Sequence, residues 1–125
     1  MGFSMKKFSC AVLLAASLSS TAWAACTYPT APGKLPDGST ASRDDMLAGK
    51  KLVEKYNTDM NAYLACIKDE YDASTKAASL TEEQKQQMAA RYTAKNDAAV
   101  DELQGVASRF NEQLRVFKAK SAPAK

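Results

Sequence analysis

The chain contains no histidine, the residue that most often ligates metal ions in proteins and acts as a general base near neutral pH. It also lacks a glycine-rich phosphate loop, a nucleophile elbow and a Cys-x-x-Cys pair. Its carboxylates occur mainly as sequence neighbours, and neighbours on a helix point in different directions, so they do not make an acid–base dyad. We therefore expect a protein that is not an enzyme and that binds no cofactor and no metal ion.

Proline is missing from the long segment between residues 42 and 120, which we expect to be helical. The residues that disrupt helices are concentrated just before it, in residues 25–41: Pro29, Pro32, Gly33, Pro36 and Gly38. Proline lacks an amide N–H and fixes φ, so this segment should form an extended arm, with a turn at Pro36-Asp37-Gly38.

Long apolar runs are missing too, because Phe8–Leu18 is well short of the ~20 residues that a membrane-spanning helix needs. Lys6 and Lys7 precede this run and Ala22-Trp23-Ala24 follows it, which is the order of parts in a secretory signal peptide. We predict a signal over residues 1–24 and a mature protein that is periplasmic or secreted.

Cysteine is rare, and its number supports this interpretation. Of the three cysteines, Cys10 would leave with the signal, so Cys26 and Cys66 remain to form a disulfide in an oxidising compartment. That bond would attach the arm to the middle of the first helix. Lipidation of Cys26 is the minor alternative, and it would leave Cys66 without a partner.

No strong excess of charge is present. Loss of Lys6 and Lys7 with the signal would lower the net charge from +3 to +1, which argues against a nucleic-acid binder. Basic residues do accumulate near the C-terminus, where they suit the negative end of a helix dipole. The basic residues of this end are Arg109, Arg115, Lys118, Lys120 and Lys125. Their contact with an anionic membrane surface is a minor alternative.

Two helices are predicted after the arm. Ser42 can cap the first, at about residues 42–76. Thr81 and Gln84 form a capping box that starts the second, at about residues 81–119. Because the connection between them is short, they should pack as a long antiparallel hairpin, giving an all-α fold with coiled-coil-like packing over residues 42–120.

An apolar stripe runs along both predicted helices at helical and heptad spacing. It can serve as the packing face of the hairpin or as a surface for a partner. It comprises Met46, Val53, Tyr56, Met60, Tyr63 and Ile67 on the first helix and Tyr92, Leu103, Val106, Phe110 and Phe117 on the second. Gly105 interrupts the second helix and indicates a bend or a close contact there, while residues 121–125 should be a disordered tail.

The segment Leu80-Thr81-Glu82-Glu83-Gln84 resembles the L-T-x-x-Q element of the Spy-like periplasmic chaperones. The resemblance implies a small, exported, all-helical protein that holds unfolded clients in a cradle-shaped dimer. It implies a structural, helix-capping role for Leu80, Thr81 and Gln84. This chain has one copy of the element, where the family has two.

A broader resemblance is to small secreted helical proteins of proteobacteria. It is carried by the Cys-x-Tyr-Pro arm that begins at Cys26, the Pro-Asp-Gly turn that begins at Pro36, and the sequence Tyr63-Leu64-Ala65-Cys66 on a helix. This resemblance spans most of the predicted mature chain and implies no activity.

We therefore expect a non-catalytic helical protein that binds other proteins and can form a homodimer. It would act as a chaperone-like factor or an envelope-stress accessory, because methionine and tyrosine side chains adapt to varied apolar partners. The alternative is a structural or adaptor subunit, whose stripe is permanently buried in a homo-oligomer or an envelope complex.

Intact-mass measurement of the protein recovered after expression with its export machinery tests the predicted signal. We expect a mature chain that begins at Ala25. A retained N-terminus, or the added mass of an acyl chain on Cys26, would contradict this prediction.

Overall fold

The computed structural model describes residues 25–77 and 79–122, and the predicted signal and the last three residues of the tail lie outside them. Helix α1 spans Arg43–Thr75 and helix α2 spans Glu82–Ser121. At 1.5 Å per residue they are about 50 and 60 Å long. The described residues contain no strand, so the all-α prediction is confirmed.

Helix α1 begins in a reciprocal cap. The Asp45 amide donates to Ser42 Oγ at 3.1 Å, and the Ser42 amide donates to Asp45 Oδ2 at 2.9 Å. Ser42 is thus the capping residue and Arg43 is the first helical residue. The sequence indicated the Ser42 cap but not the return bond from Asp45. The helix ends at Thr75, with Lys76 as its C-cap.

Helix α2 begins in the predicted capping box. The Gln84 amide donates to Thr81 Oγ1 at 3.1 Å, and the Thr81 amide donates to Gln84 Oε1 at 2.9 Å. At the other end α2 continues to Ser121, two residues past the predicted end at 119. Lys120 helps to fix this last turn, because its ammonium donates to the carbonyl of Ala41 at 3.0 Å.

The helices pack as an antiparallel hairpin. Near the connection, the rings of Tyr71 and Tyr92 stack with centroids 4.9 Å apart. At the far end Gly49 of α1 lies against Phe110 of α2, since a Cβ added to Gly49 would be 3.1 Å from the Phe110 ring. Early residues of one helix therefore meet late residues of the other, as the short connection predicts.

The core lies along the seam between the helices. It is a cluster of buried side chains in which Met60, Ala99 and Val106 are fully inaccessible. Its other members are Tyr56, Tyr63 and Ile67. Two residues of the arm, Cys26 and Ala31, also pack against this cluster, so the core has three contributors and not two.

The arm runs back along the helix pair, antiparallel to α1. Its first end is bonded to the helix by the predicted Cys26–Cys66 disulfide, with Cα atoms 5.7 Å apart. Its other end reaches the beginning of α1, where Pro36 lies on Gly49. The prediction of an extended arm that doubles back and is tied to the middle of α1 is confirmed.

The second end of the arm is seated by an unusually close backbone contact. A Cβ added to Gly38 would lie 1.9 Å from the carbonyl oxygen of Gln113 and 2.8 Å from the amide nitrogen of Phe117, so only glycine fits there. The Gly38 amide also donates to Gln113 Oε1 at 2.8 Å. Gly38 was predicted as a turn residue, and its close packing on α2 was not predicted.

Gly105 does not mark a close contact. A Cβ added there would have no neighbouring atom within 4 Å, and the residue is exposed on α2. The expectation of close packing at Gly105 is therefore wrong. The helix continues through this residue because a single glycine only weakens it.

These two glycines give a matched test of the arm's seat. Gly38→Ala should lower the free energy of unfolding by about 1–3 kcal/mol, because the new methyl group overlaps helix backbone. Gly105→Ala should raise it by about 0.5–1 kcal/mol, because alanine stabilises an exposed helix. Urea denaturation of both variants measures the difference. A Gly38→Ala variant as stable as the wild type would mean that the arm does not sit on α2 in solution.

Candidate functional site

Two shallow grooves with mostly apolar walls lie between the arm and α1. The upper groove, of about 580 Å³, is bounded by arm residues 27–32 and by the face of α1 from Leu52 to Cys66. The lower groove, of about 430 Å³, is bounded by arm residues 34–41 and by the start of α1. Leu52 lines both grooves, so together they form one surface, which we call the Leu52 surface.

The Leu52 surface is built by residues that the sequence placed on separate elements. The arm supplies proline rings and a leucine, and α1 supplies small side chains and the edges of two tyrosines. Its apolar members are Pro29, Pro32, Leu35, Pro36, Ala48, Leu52, Ala62, Tyr56 and Tyr63. Lys55 and Asp59 also line the upper groove, joined by a 2.6 Å ion pair on the helix surface.

Leu52 is unusual because it is a large apolar side chain that stays 47% exposed. Leu47, one and a half turns earlier on α1, is exposed to the same degree, 48%, but lines none of the grooves beside the arm. A single exposed leucine needs no functional explanation. An exposed leucine that joins two apolar grooves does mark a surface on which another molecule can pack.

Tyr28 of the arm lies beside this surface, over the seam between the helices. Its ring meets the ring of Tyr63 edge-on, with centroids 4.9 Å apart, an arrangement that favours aromatic pairs. Its hydroxyl donates to Glu102 Oε2 of α2 at 2.6 Å. Tyr28 thus contacts both helices, although the residue remains 40% exposed.

Beneath Tyr28, Tyr56 is 2% exposed and its hydroxyl is buried without a hydrogen-bond partner among the described residues. The Glu102 carboxylate and the Tyr28 hydroxyl both lie near this hydroxyl and influence its pKa. Glu102 Oε2 accepts from Tyr28, and a carboxylate can accept from more than one donor. Tyr28, Tyr56 and Glu102 thus form one polar cluster at the seam between the helices.

The two phenols share a cause for their altered acidity. Partial burial and the Glu102 carboxylate both raise the pKa of Tyr28 above its ordinary value of 10.0. Burial and the same carboxylate raise the pKa of Tyr56. Both phenols are therefore neutral at physiological pH, and Tyr28 serves as a hydrogen-bond donor to Glu102.

The disulfide lies at the end of the upper groove. Cys66 lines this groove, and both cysteines are half-buried and not enclosed. The Cys26 amide is 3.4 Å from Glu70 Oε1, which is a long hydrogen bond. Covalent attachment is thus the strongest connection at this end of the arm.

On its other side the arm forms a groove of about 740 Å³ with α2. Lys34 and Arg109 line it together with Asp37 and Glu112, so its charge is mixed. Some of the basic residues near the C-terminus are engaged: Arg115 donates twice to Glu112, and Lys120 donates to a carbonyl of the arm. These bonds favour the interpretation of the basic residues as part of a helix C-terminus over their interpretation as a free basic patch for a membrane.

The predicted stripe lies at the seam between the helices or close to it. Most of its residues are buried: Met46, Tyr56, Met60, Tyr63, Ile67, Val106 and Phe110. The rest are half-buried: Val53, Tyr92, Leu103 and Phe117. The structure thus gives these residues a packing role, and Tyr56 and Tyr63 also line the upper groove.

Sequence reasoning missed the residues that complete the surface. Leu52 was missed because it lies outside the heptad positions of the stripe. Glu102 was missed because, beside Asp101, it looks like a solvent-exposed carboxylate on a helix. Gly49 is buried beneath the Pro36 ring, a contact that only the path of the arm explains. Glycine in a helix interior was the one available signal, because it is unfavourable there, but Gly105 gives the same signal without a close contact.

Within the described residues, no group of three or more potential metal ligands is assembled. Neither α1 nor α2, the helices of the described part of the chain, is long and apolar enough to cross a membrane. Comparison of the chain with protein-family models, with curated proteins and with solved structures gives no match.

Alkaline titration followed by absorbance at 295 nm tests the cluster around Glu102. Glu102→Gln removes the negative charge but keeps an acceptor, so the ionisation of Tyr28 and Tyr56 should move to lower pH than in the wild type. Asp101→Asn, on the adjacent residue of α2, is the matched control and should leave the curve unchanged. Identical curves for all three proteins would contradict the arrangement.

The same shift has a consequence for stability. Because the folded state raises the pKa of Tyr28, its contribution is complete below about pH 10 and declines as the pH rises towards the raised pKa. Tyr28→Phe should therefore flatten the loss of stability above about pH 10, as measured by urea denaturation at a series of pH values. A parallel decline in both proteins would contradict this assignment.

Proposed function

We propose that this protein is exported and binds extended or unfolded segments of other proteins on the Leu52 surface, without catalysing a reaction. The single observation that supports this most is the exposed Leu52 joining two apolar grooves. The Cys26–Cys66 disulfide is compatible with an oxidising compartment outside the cytoplasm. The chaperone-like role indicated by the Leu80–Gln84 resemblance is of this kind.

The chain's own arm supports the choice of an extended segment as ligand. Residues 25–36 have no helix or strand, yet they pack along the helix pair through proline rings and Tyr28. A groove whose walls are proline and tyrosine suits a second extended chain, because extended chains dock their apolar side chains in aromatic-lined grooves.

Leu52→Gln and Leu47→Gln form a matched pair for testing this proposal, since the two leucines are equally exposed on the same helix. With carboxymethylated α-lactalbumin, a permanently unfolded protein, Leu52→Gln should weaken binding by about 5-fold, equivalent to about 1 kcal/mol of lost apolar contact. Leu47→Gln should bind as the wild type does. Equal binding by both variants, or none by the wild type, would overturn the proposal.

The second candidate function is that of a structural subunit, in which the Leu52 surface is buried between copies of this chain. It is favoured by the same exposed leucine, because an apolar surface on a small domain can pair with itself. Sedimentation velocity at micromolar concentration separates the candidates. A wild-type dimer that Leu52→Gln converts to a monomer, while Leu47→Gln does not, would support the subunit role.

A further inference from the structure

The arm is held at two ends of different strength. Its second end is seated by backbone packing, with Gly38 against α2 and Pro36 on Gly49. Its first end depends on the disulfide more than on packing. The other contacts there are the packing of Ala31 on the core, the Tyr28 ring, one hydrogen bond to Glu102 and a long one from the Cys26 amide. Loss of the disulfide would thus affect the first end selectively.

A point of flexion separates the two ends. Gly33 is exposed at a bend in the arm, and a Cβ added there would meet no atom within 4 Å. Glycine has the widest choice of backbone conformations, so rotation at Gly33 can lift residues 25–32 while Pro36 and Gly38 remain in place. We call residues 25–32 the strap.

The strap covers polar and apolar groups at the seam between the helices. While it is closed, Tyr28 donates to Glu102 and lies near the buried hydroxyl of Tyr56. When Tyr28 leaves, Glu102 loses this donor, and its carboxylate is open to a donor from Tyr56 or from a partner. The exposed edges of Tyr56 and Tyr63 would extend the upper groove towards the seam between the helices.

We propose that the strap is a redox-controlled occupant of the client site: reduction of Cys26–Cys66 releases it, and an extended partner segment takes the place of the whole strap against α1, with an aromatic side chain where Tyr28 was. This inference rests on the proposed function and adds the regulation of that site. The partner's chemistry is that of the strap itself, an extended, uncharged segment whose aromatic ring meets Tyr63.

The reaction is a thiol–disulfide exchange with a dithiol reductant. A thiolate of the reductant attacks Cys66 Sγ, which lines the groove, and forms a mixed disulfide while Cys26 leaves as a thiolate. The second thiol of the reductant then attacks the mixed disulfide and releases Cys66. The reductant is oxidised to a disulfide, and this chain gains two electrons and two protons as two thiols.

Backbone ¹⁵N relaxation of the full mature chain, oxidised and after reduction, tests the release. On reduction the heteronuclear NOE of residues 26–32 should fall to values of mobile chain, while Gly38 and both helices keep theirs. A strap that stays rigid in the reduced protein would overturn the inference. Loss of helix signals on reduction would also overturn it, because the disulfide would then be purely structural.

Binding of carboxymethylated α-lactalbumin to the oxidised and reduced protein tests the consequence. If the client binds only when the strap is open, the apparent affinity of the oxidised protein is the intrinsic affinity multiplied by the fraction of molecules with an open strap. Reduction should therefore tighten binding by at least about 10-fold. A Cys26→Ser, Cys66→Ser double variant should bind as the reduced protein does, with and without reductant, which controls for effects of the reductant itself.

The two measurements separate failure of this inference from failure of the proposed function. A released strap with no client binding in either state would support the release and overturn the proposed function. Client binding of equal strength in both states, with a rigid strap, would support the proposed function and overturn the inference. In that case the client uses only the surface that is open beside the closed strap.

Discussion

The arm occupies the place that a third helix would take in a helical bundle, and its position there depends on the Cys26–Cys66 disulfide. Two helices alone bury one stripe each, which leaves the other side of their seam in contact with water. Cys26, Tyr28 and Ala31 cover that side. An extended segment can do so only if its ordering entropy is offset, and closing a loop of 40 residues by a disulfide stabilises a domain by about 4 kcal/mol in the chain-entropy model.

This dependence accounts for the asymmetry of the arm. Near its second end the arm is close to α1 in sequence, so packing of Pro36 on Gly49 and of Gly38 on α2 is sufficient to hold it. At its first end the arm is far from its attachment in sequence, and there the bond to Cys66 replaces packing. Packing thus holds the end of the arm next to α1 in sequence, and the disulfide holds the end at Cys26.

The helices and their antiparallel pairing could be predicted because they are determined by local and periodic features. Capping residues start each helix, the apolar period defines its buried face, and a short connection leaves only antiparallel pairing. The disulfide could be predicted because only two of the three cysteines lie outside the predicted signal, and two cysteines allow one intramolecular bond. The candidate site could not, because Leu52 and Glu102 acquire their importance from the path of the arm, and an irregular segment has no period from which to read its contacts.

Gly38 and Gly105 show the same limit in a different way. Gly38 reads as a turn residue after proline and aspartate, and Gly105 reads as an interruption of a helix, but neither setting shows which glycine makes a close contact. The first is required by a backbone oxygen 1.9 Å from where its Cβ would be, and the second has empty space around it. That difference lies in tertiary contact, which local sequence does not record.

The surface that stabilises the domain is also the surface proposed to bind a partner, and Tyr56 and Tyr63 belong to both. Their buried sides belong to the core between the helices, whereas their edges line the upper groove. A partner that packs on those edges replaces contacts that the closed strap already makes. Exchanging the strap for the partner therefore adds little apolar burial. The affinity of such a site therefore depends on how strongly the strap is held in place, and the Cys26–Cys66 disulfide is the main attachment that holds it.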